Sequence, residues 1–85
     1  MLFRVIIDCS LKIDDSEGFI NAQFVDVPNE KDAERKAILA VMSLMLVKNF
    51  SEQDIGRAEF RVDSVEPFDG VPEGDYQKAF AYYRT

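Results

Sequence analysis

The chain contains no histidine and a single cysteine, Cys9, in 85 residues. The first absence removes the most frequent general base and metal ligand, and with them every Ser-His or Cys-His nucleophile arrangement. Cys9 falls on the apolar side of an alternating stretch and has neither a candidate base nor a basic neighbourhood, so it reads as a buried thiol and not a nucleophile. Asp14-Asp15-Ser16-Glu17-Gly18 gathers carboxylates, but it lacks the oxygen-ligand spacing and closing glutamate of a calcium loop and reads as a turn, with Gly18 free to take positive φ. Gly56, Gly70 and Gly74 form no phosphate-cradling pattern. Arg57 and Arg61 lie four apart on an expected strand and so share one face; they offer an anion site or, more simply, pairing with acidic residues across the sheet. These residues predict a protein that is not an enzyme and uses no metal and no cofactor. Carboxylate pairs distant in sequence are the one catalytic arrangement left open.

Sixteen acidic residues outnumber ten basic ones, for a formal net charge of −6. Binding to nucleic acid through its phosphates requires an excess of Lys and Arg, so no direct nucleic-acid role is expected. Acid recurs at Asp14–Glu17, Glu30–Glu34, Glu52–Asp54 and Glu73–Asp75. It serves either as a solvated surface or as a face that steers toward a basic protein. One cysteine forms no internal disulfide. Met1-Leu2-Phe3-Arg4 runs directly into an alternating strand with no signal-peptide pattern. The longest apolar run, Ala37 to Val47, is far short of the roughly 20 residues that span a bilayer. A cytoplasmic protein with no membrane contact is the expectation.

The elements that must position these residues follow from periodicity. Phe3, Val5, Ile7, Cys9, Leu11 and Ile13 are apolar at alternate positions, the signature of a strand with one buried face. Phe19 to Val27 reads as its hairpin partner. Ile20, Ala22 and Phe24 share one face and Val25 and Val27 the other, which either a β-bulge near Phe24–Val25 or a strand end covered on both faces would reconcile. Pro28 stops this strand, Asn29 is a good N-cap, and Glu30 and Asp32 suit the first turn of a helix running to about Lys48, with Asn49 closing it in a left-handed conformation. Ser51-Glu52-Gln53-Asp54 has the form of a capping box and predicts a short helical turn ended by Gly56. Ala58, Phe60 and Val62 alternate as a third strand, which Val65 and Phe68 continue out of phase and Pro67 limits. The last segment is either a helix capped by Asp75, with Tyr76, Ala79, Phe80 and Tyr83 on one side, or a strand over Lys78–Arg84, which its aromatic density favours. The sum is a single α+β domain over residues 1–85, a mainly antiparallel sheet with one long helix on one face, in the order ββαββ with the last element open to being a short helix.

The helix carries two apolar stripes. At 100° per residue, Ala33, Ala37, Ala40, Val41, Leu44 and Val47 form the one expected to lie on the hairpin. Ile38, Leu39, Met42, Met45 and Leu46 form a second, confined to the C-terminal half. A chain this short covers one helix face with its own sheet, so the second stripe either packs under the C-terminal segment or is a contact surface for another chain. These five residues are the candidate interface.

Gly18-Phe19, Val25-Asp26-Val27-Pro28-Asn29, Asp32-Ala33 and Lys36-Ala37 together resemble a pattern of small bacterial ββαββ proteins of unassigned function. In these a hairpin strand ends in V-[DE]-[AV] and feeds a helix carrying E-A-x-x-K-A. Their chains close on a short aromatic strand, which Phe80-Ala81-Tyr82-Tyr83 resembles. The hairpin-then-helix start is also similar to HicB-type antitoxins, with Asp26-Val27-Pro28-Asn29 at the D-L-P-G-like element of that group and no DNA-binding tail in this sequence. The resemblance implies a bacterial source and the ββαββ architecture and assigns no functional residue.

The expected function is that of a small acidic interaction protein without catalysis, an immunity- or inhibitor-type binder of a basic protein, self-associating as a homodimer. The other expectation is a small-ligand or regulatory module with its pocket between helix and sheet or at a dimer seam.

Overall fold

The computed structural model describes residues 1–12, 16–72 and 74–84. The elements run β1 (Leu2–Ser10), β2 (Glu17–Asp26), α1 (Glu30–Val47), α2 (Glu52–Arg57), β3 (Glu59–Pro67), α3 (Gly74–Lys78) and β4 (Ala81–Arg84). The four strands form one antiparallel sheet in the order β3-β1-β2-β4. The α+β class with one long helix holds, but the ββαββ order does not: α2 and α3 interrupt it. The capping box at Ser51 and Asp54 nucleates α2. The two alternatives for the C-terminal segment occur in succession, as a helical turn and then a strand.

β1 turns Phe3, Val5, Ile7 and Cys9 into the core, as its alternation dictates. It ends at Ser10; Leu11 lies beyond it, its N–H donating to the Glu17 carbonyl at 2.8 Å, and Ile13 falls outside the described residues. Of the expected turn, Asp14 and Asp15 also lie outside them. Gly18 sits within β2 and not in the turn, and positive φ is not adopted there. Glycine is required for space instead: a Cβ at this position would overlap the Cys9 carbonyl and the Tyr83 ring.

The bulge expected in β2 is absent. Pairing with β1 runs unbroken from Leu2↔Asp26 to Ser10↔Gly18. The face toward α1 carries Phe19, Asn21, Gln23 and Val25, so the inward row is polar at its centre and disguised the phase. The irregularity lies in β3, where Ile6 pairs with Ser64 and Ile7 with Val62, leaving Asp63 unmatched. This extra residue returns Phe60, Val62 and Val65 to one face and accounts for the shifted phase of the third strand.

Buried amides are costly unless every donor is satisfied. The Asn21 Nδ2 donates to the Gln77 and Ala79 carbonyls at 3.0 and 2.8 Å. The Gln23 Nε2 donates to Asn21 Oδ1 at 2.7 Å and to the Gln77 carbonyl at 2.8 Å. Two β2 side chains thereby hold the end of α3, whose last carbonyls have no partner within so short a helix. From there Phe80 stacks on Phe19 with centroids 3.9 Å apart, and β4 pairs with the start of β2.

α1 begins where expected, with Asn29 Oδ1 accepting the Asp32 N–H at 2.9 Å. It closes with Asn49 at φ 70°, the Phe50 N–H donating to the Met45 carbonyl and the Asn49 N–H to that of Leu46, a Schellman arrangement. The row on the sheet is Ala33, Ala37, Val41 and Met45, all fully buried. Steps of four advance 40° past a full turn each, so the row slants across the twisted sheet instead of continuing to Val47. Val47, assigned from periodicity to the sheet side, is exposed, and Met45, assigned to the second stripe, is core.

Asn21→Ala strands the Ala79 carbonyl just after α3, removes one of the two donors to the Gln77 carbonyl and removes the Gln23 contact, and the expected loss is about 2–4 kcal/mol by urea denaturation. The α3 amides should gain hydrogen exchange more than those of β1. A loss under about 0.5 kcal/mol would refute the anchoring role.

Candidate functional site

The C-terminal half of α1 presents apolar residues to solvent directly opposite its buried row. Leu39 is 58% exposed, Leu46 53% and Val47 76%. Of the five candidate interface residues, Leu39 and Leu46 stand out from the surface, Ile38 and Met42 are half-buried against the core, and Met45 is enclosed within it. The sequence therefore drew the stripe about one position too far toward the sheet. Val47, which belongs to this surface, was missed. The signal for it is the i, i+4 spacing of Leu39, Ser43 and Val47, parallel to the buried Ala33–Met45 row.

Two depressions flank this ridge. On the α2 side, one of about 260 Å³ is framed on α1 by Leu39, Met42, Ser43 and Leu46, with Ile55 as floor and Glu52 at the rim. On the α3 side, one of about 380 Å³ is framed on α1 by Ala40, Ser43, Leu44 and Val47, with Gln23 and Gln77 beyond. Ser43, a small side chain, separates them. Each frame is an i, i+3, i+4, i+7 diamond, the outline that receives one side chain of a second helix.

A third depression, about 470 Å³, wraps the sheet edge between Gly18, Phe50, Tyr82 and Tyr83. Its polar groups are engaged within the chain. Glu17 lies 3.6 Å from Lys12 and 3.3 Å from Arg84, and the Tyr83 hydroxyl donates to Asp8 Oδ1 at 2.6 Å. Tyr82 and Tyr83 thus share this rim.

The sheet face turned away from α1 is bridged by polar pairs. Arg4 meets Glu66 at 2.9 Å, and Arg61 meets Asp8 at 3.8 Å. Arg61 pairs across the sheet as its spacing suggested, but Arg57 ends α2 and shares no strand face with it. Leu2 and Ile6 lie on this face half-buried, and Phe24 packs on Phe68 with centroids 4.7 Å apart.

Cys9 lies fully inside the core. Burial, with a smaller contribution from the Asp8 carboxylate, pushes its thiol from the ordinary 9.0 up to about 12. A neutral thiol of this kind is a packing group. Among the described residues no group of three or more His, Cys, Asp or Glu side chains is placed to hold a metal ion. Nor, among those residues, is any helix long and apolar enough to cross a membrane. No family model, curated protein or solved structure matches the chain.

The thiol gives a pH signature. The folded state holds the Cys9 proton up to about pH 12 while the unfolded chain releases it near 9.0, so its contribution to stability is constant below that and lost as pH rises through the interval. Urea unfolding from neutral pH to about pH 10.5 should show wild type losing stability relative to Cys9→Ala, and native Cys9 should resist iodoacetamide. Parallel stability curves, or rapid alkylation of the folded protein, would contradict the buried setting.

Proposed function

We propose that this protein is a binding module without catalysis, which acts by contacting another polypeptide through the solvent side of α1. The observation that carries this reading is the exposure of Leu39 and Leu46, 58% and 53%, opposite the buried row of the same helix. A polar residue at either position would cost the fold little. Covering the exposed half of each leucine returns roughly 0.8–1.5 kcal/mol, an amount available only to a complex. The flanking depressions supply shape, and the stretch from Ala37 to Val47 has no charged side chain to desolvate.

The test compares wild type with Leu39→Lys/Leu46→Lys, which alters only exposed positions and should leave circular dichroism and thermal unfolding unchanged. Immobilised wild type is expected to retain a polypeptide, either a second copy or another chain, at least about ten times more strongly than the variant. Equal retention by both would refute α1 as the contact.

The charge of −6 favours an inhibitor-type role, in which the acidic surface covers a basic partner after electrostatic steering. Association with such a partner should slow markedly between about 50 and 500 mM salt, as the screening length falls from about 13 Å to about 4 Å. An on-rate unchanged over that range would remove the steering component and leave the α1 contact standing.

A further inference from the structure

We infer that the free edge of β2 is a second polypeptide site, which takes an extended segment of a partner protein carrying an apolar residue, a phenylalanine and a tyrosine at alternate positions. The segment α3–β4 of this chain fills that edge incompletely and is what the partner displaces. The inference stands apart from the contact proposed for α1.

Backbone direction defines the edge. The Val27 N–H donates to the Met1 carbonyl and the Leu11 N–H to that of Glu17, so the odd residues of β2 direct their backbone groups to β1. The even residues direct theirs to the opposite side. There β4 pairs with Glu17–Ile20 and engages Gly18 and Ile20. The ladder then stops, because Gln77 and Lys78 are helical. Ala22, Phe24 and Asp26 face α3 where a strand would continue. Among the described residues, these backbone groups have one partner, Gln77 Oε1, at a long 3.4 Å from the Phe24 N–H.

The segment in place also shows what the edge selects. Phe80 stacks on Phe19 at 3.9 Å, and Tyr82 meets Phe19 edge-on at 5.9 Å. Continued past Ile20↔Ala81, the register sets Phe80 opposite Asn21 and Lys78 opposite Gln23. The next inward side chain of a continuous strand therefore arrives at Gln23. Beside Gln23 lies the depression of about 380 Å³ that α3 leaves against Ala40, Ser43, Leu44 and Val47. In this chain the corresponding residue is Lys78, whose charge does not match an apolar opening. An apolar side chain there, with phenylalanine and tyrosine two and four places on, is the complementary pattern.

The displacement is local. Among the described residues, α3 and β4 pack chiefly on β2, and the Tyr83 hydroxyl adds its bond to Asp8. Asn21 and Gln23 hold α3 by main-chain carbonyls, which any sequence supplies. β4 is tethered and competes at an effective concentration on the order of millimolar. A free segment prevails through contacts that β4 lacks, namely the ladder bonds at Ala22, Phe24 and Asp26 and the filled depression.

The probe is a labelled extended peptide with leucine, phenylalanine and tyrosine at the places of Lys78, Phe80 and Tyr82, preceded by alternating valine and threonine. It is titrated to about 1 mM, the range in which it can rival the tethered segment, on wild type, on Phe80→Ala, which removes the stack, and on Ala81→Pro, which removes a ladder donor of β4. Each variant should bind it at least about tenfold more tightly than wild type, because the open edge is more populated. In wild type, bound peptide should slow hydrogen exchange at Ala22 and Phe24 and quicken it at Ala81 and Tyr83. N-methylation of the peptide amides that face β2 should abolish binding. The exchange measurement uses wild type and decides the matter even where a variant does not fold. Unchanged exchange at these four amides with about 1 mM peptide, binding no tighter to folded variants, or indifference to N-methylation would each overturn the inference. A wild-type mass that doubles with concentration and is not reversed by peptide would assign the edge to β4 of another copy, and the partner proposed would fall. Leu39→Lys/Leu46→Lys should bind the peptide as wild type does. Loss of binding there would move the peptide to α1 and overturn the β2 site, whereas the α1 contact itself stands or falls by its own retention experiment.

Discussion

The arrangement of this small protein depends on two buried amides. Asn21 and Gln23 stand where an antiparallel strand would ordinarily place valine or isoleucine, and they are tolerated only because the carbonyls of Gln77 and Ala79 accept their protons. The bonds run both ways in consequence. They satisfy polar groups under the helix, and they pin a five-residue helix that has too few internal bonds to persist by itself. α3 in its pinned place is one wall of the depression beside Ser43 and leads into the aromatic stack on Phe19 and the last strand. A core of valines here would bury more apolar surface and leave the C-terminal segment without an anchor.

What was legible from sequence was whatever a single element determines. The alternation of Phe3 to Cys9, the Asn29 cap, the Ser51 capping box and the left-handed Asn49 each follow from residues within a few positions of one another, and each is found. What was not legible depended on a partner far along the chain. The inward phase of β2 could not be read from hydrophobicity because Asn21 and Gln23 are satisfied by residues more than fifty positions away. The displaced bulge is of the same kind: Val65 out of phase is visible in sequence, but the unmatched Asp63 is defined only against Ile6 and Ile7 of β1.

The candidate surface was half legible for a related reason. Sequence shows that the end of α1 is apolar on more than one side. Only the crossing of helix over twisted sheet decides which side is inside, and a rotation of about 60° exchanges Met45 for Val47. The Ala33-Ala37-Val41-Met45 row has small residues at its start and a large one at its end, and all four are fully enclosed against the sheet. That packing turns Leu39, Ser43 and Val47 outward together. The exposed ridge is thus a geometric consequence of how the buried row is satisfied, and its apolar character is the property that needs a functional account.

The perimeter of the sheet bears on how the protein behaves when crowded. β3, the long outer strand, is interrupted by Asp63, closes on Pro67 and carries Glu59, Arg61 and Glu66 along an exposed margin. β4, the other outer strand, has only four residues. Neither margin offers a straight run of free backbone groups on which a further strand can be templated. Joining of molecules strand to strand is therefore disfavoured at both margins.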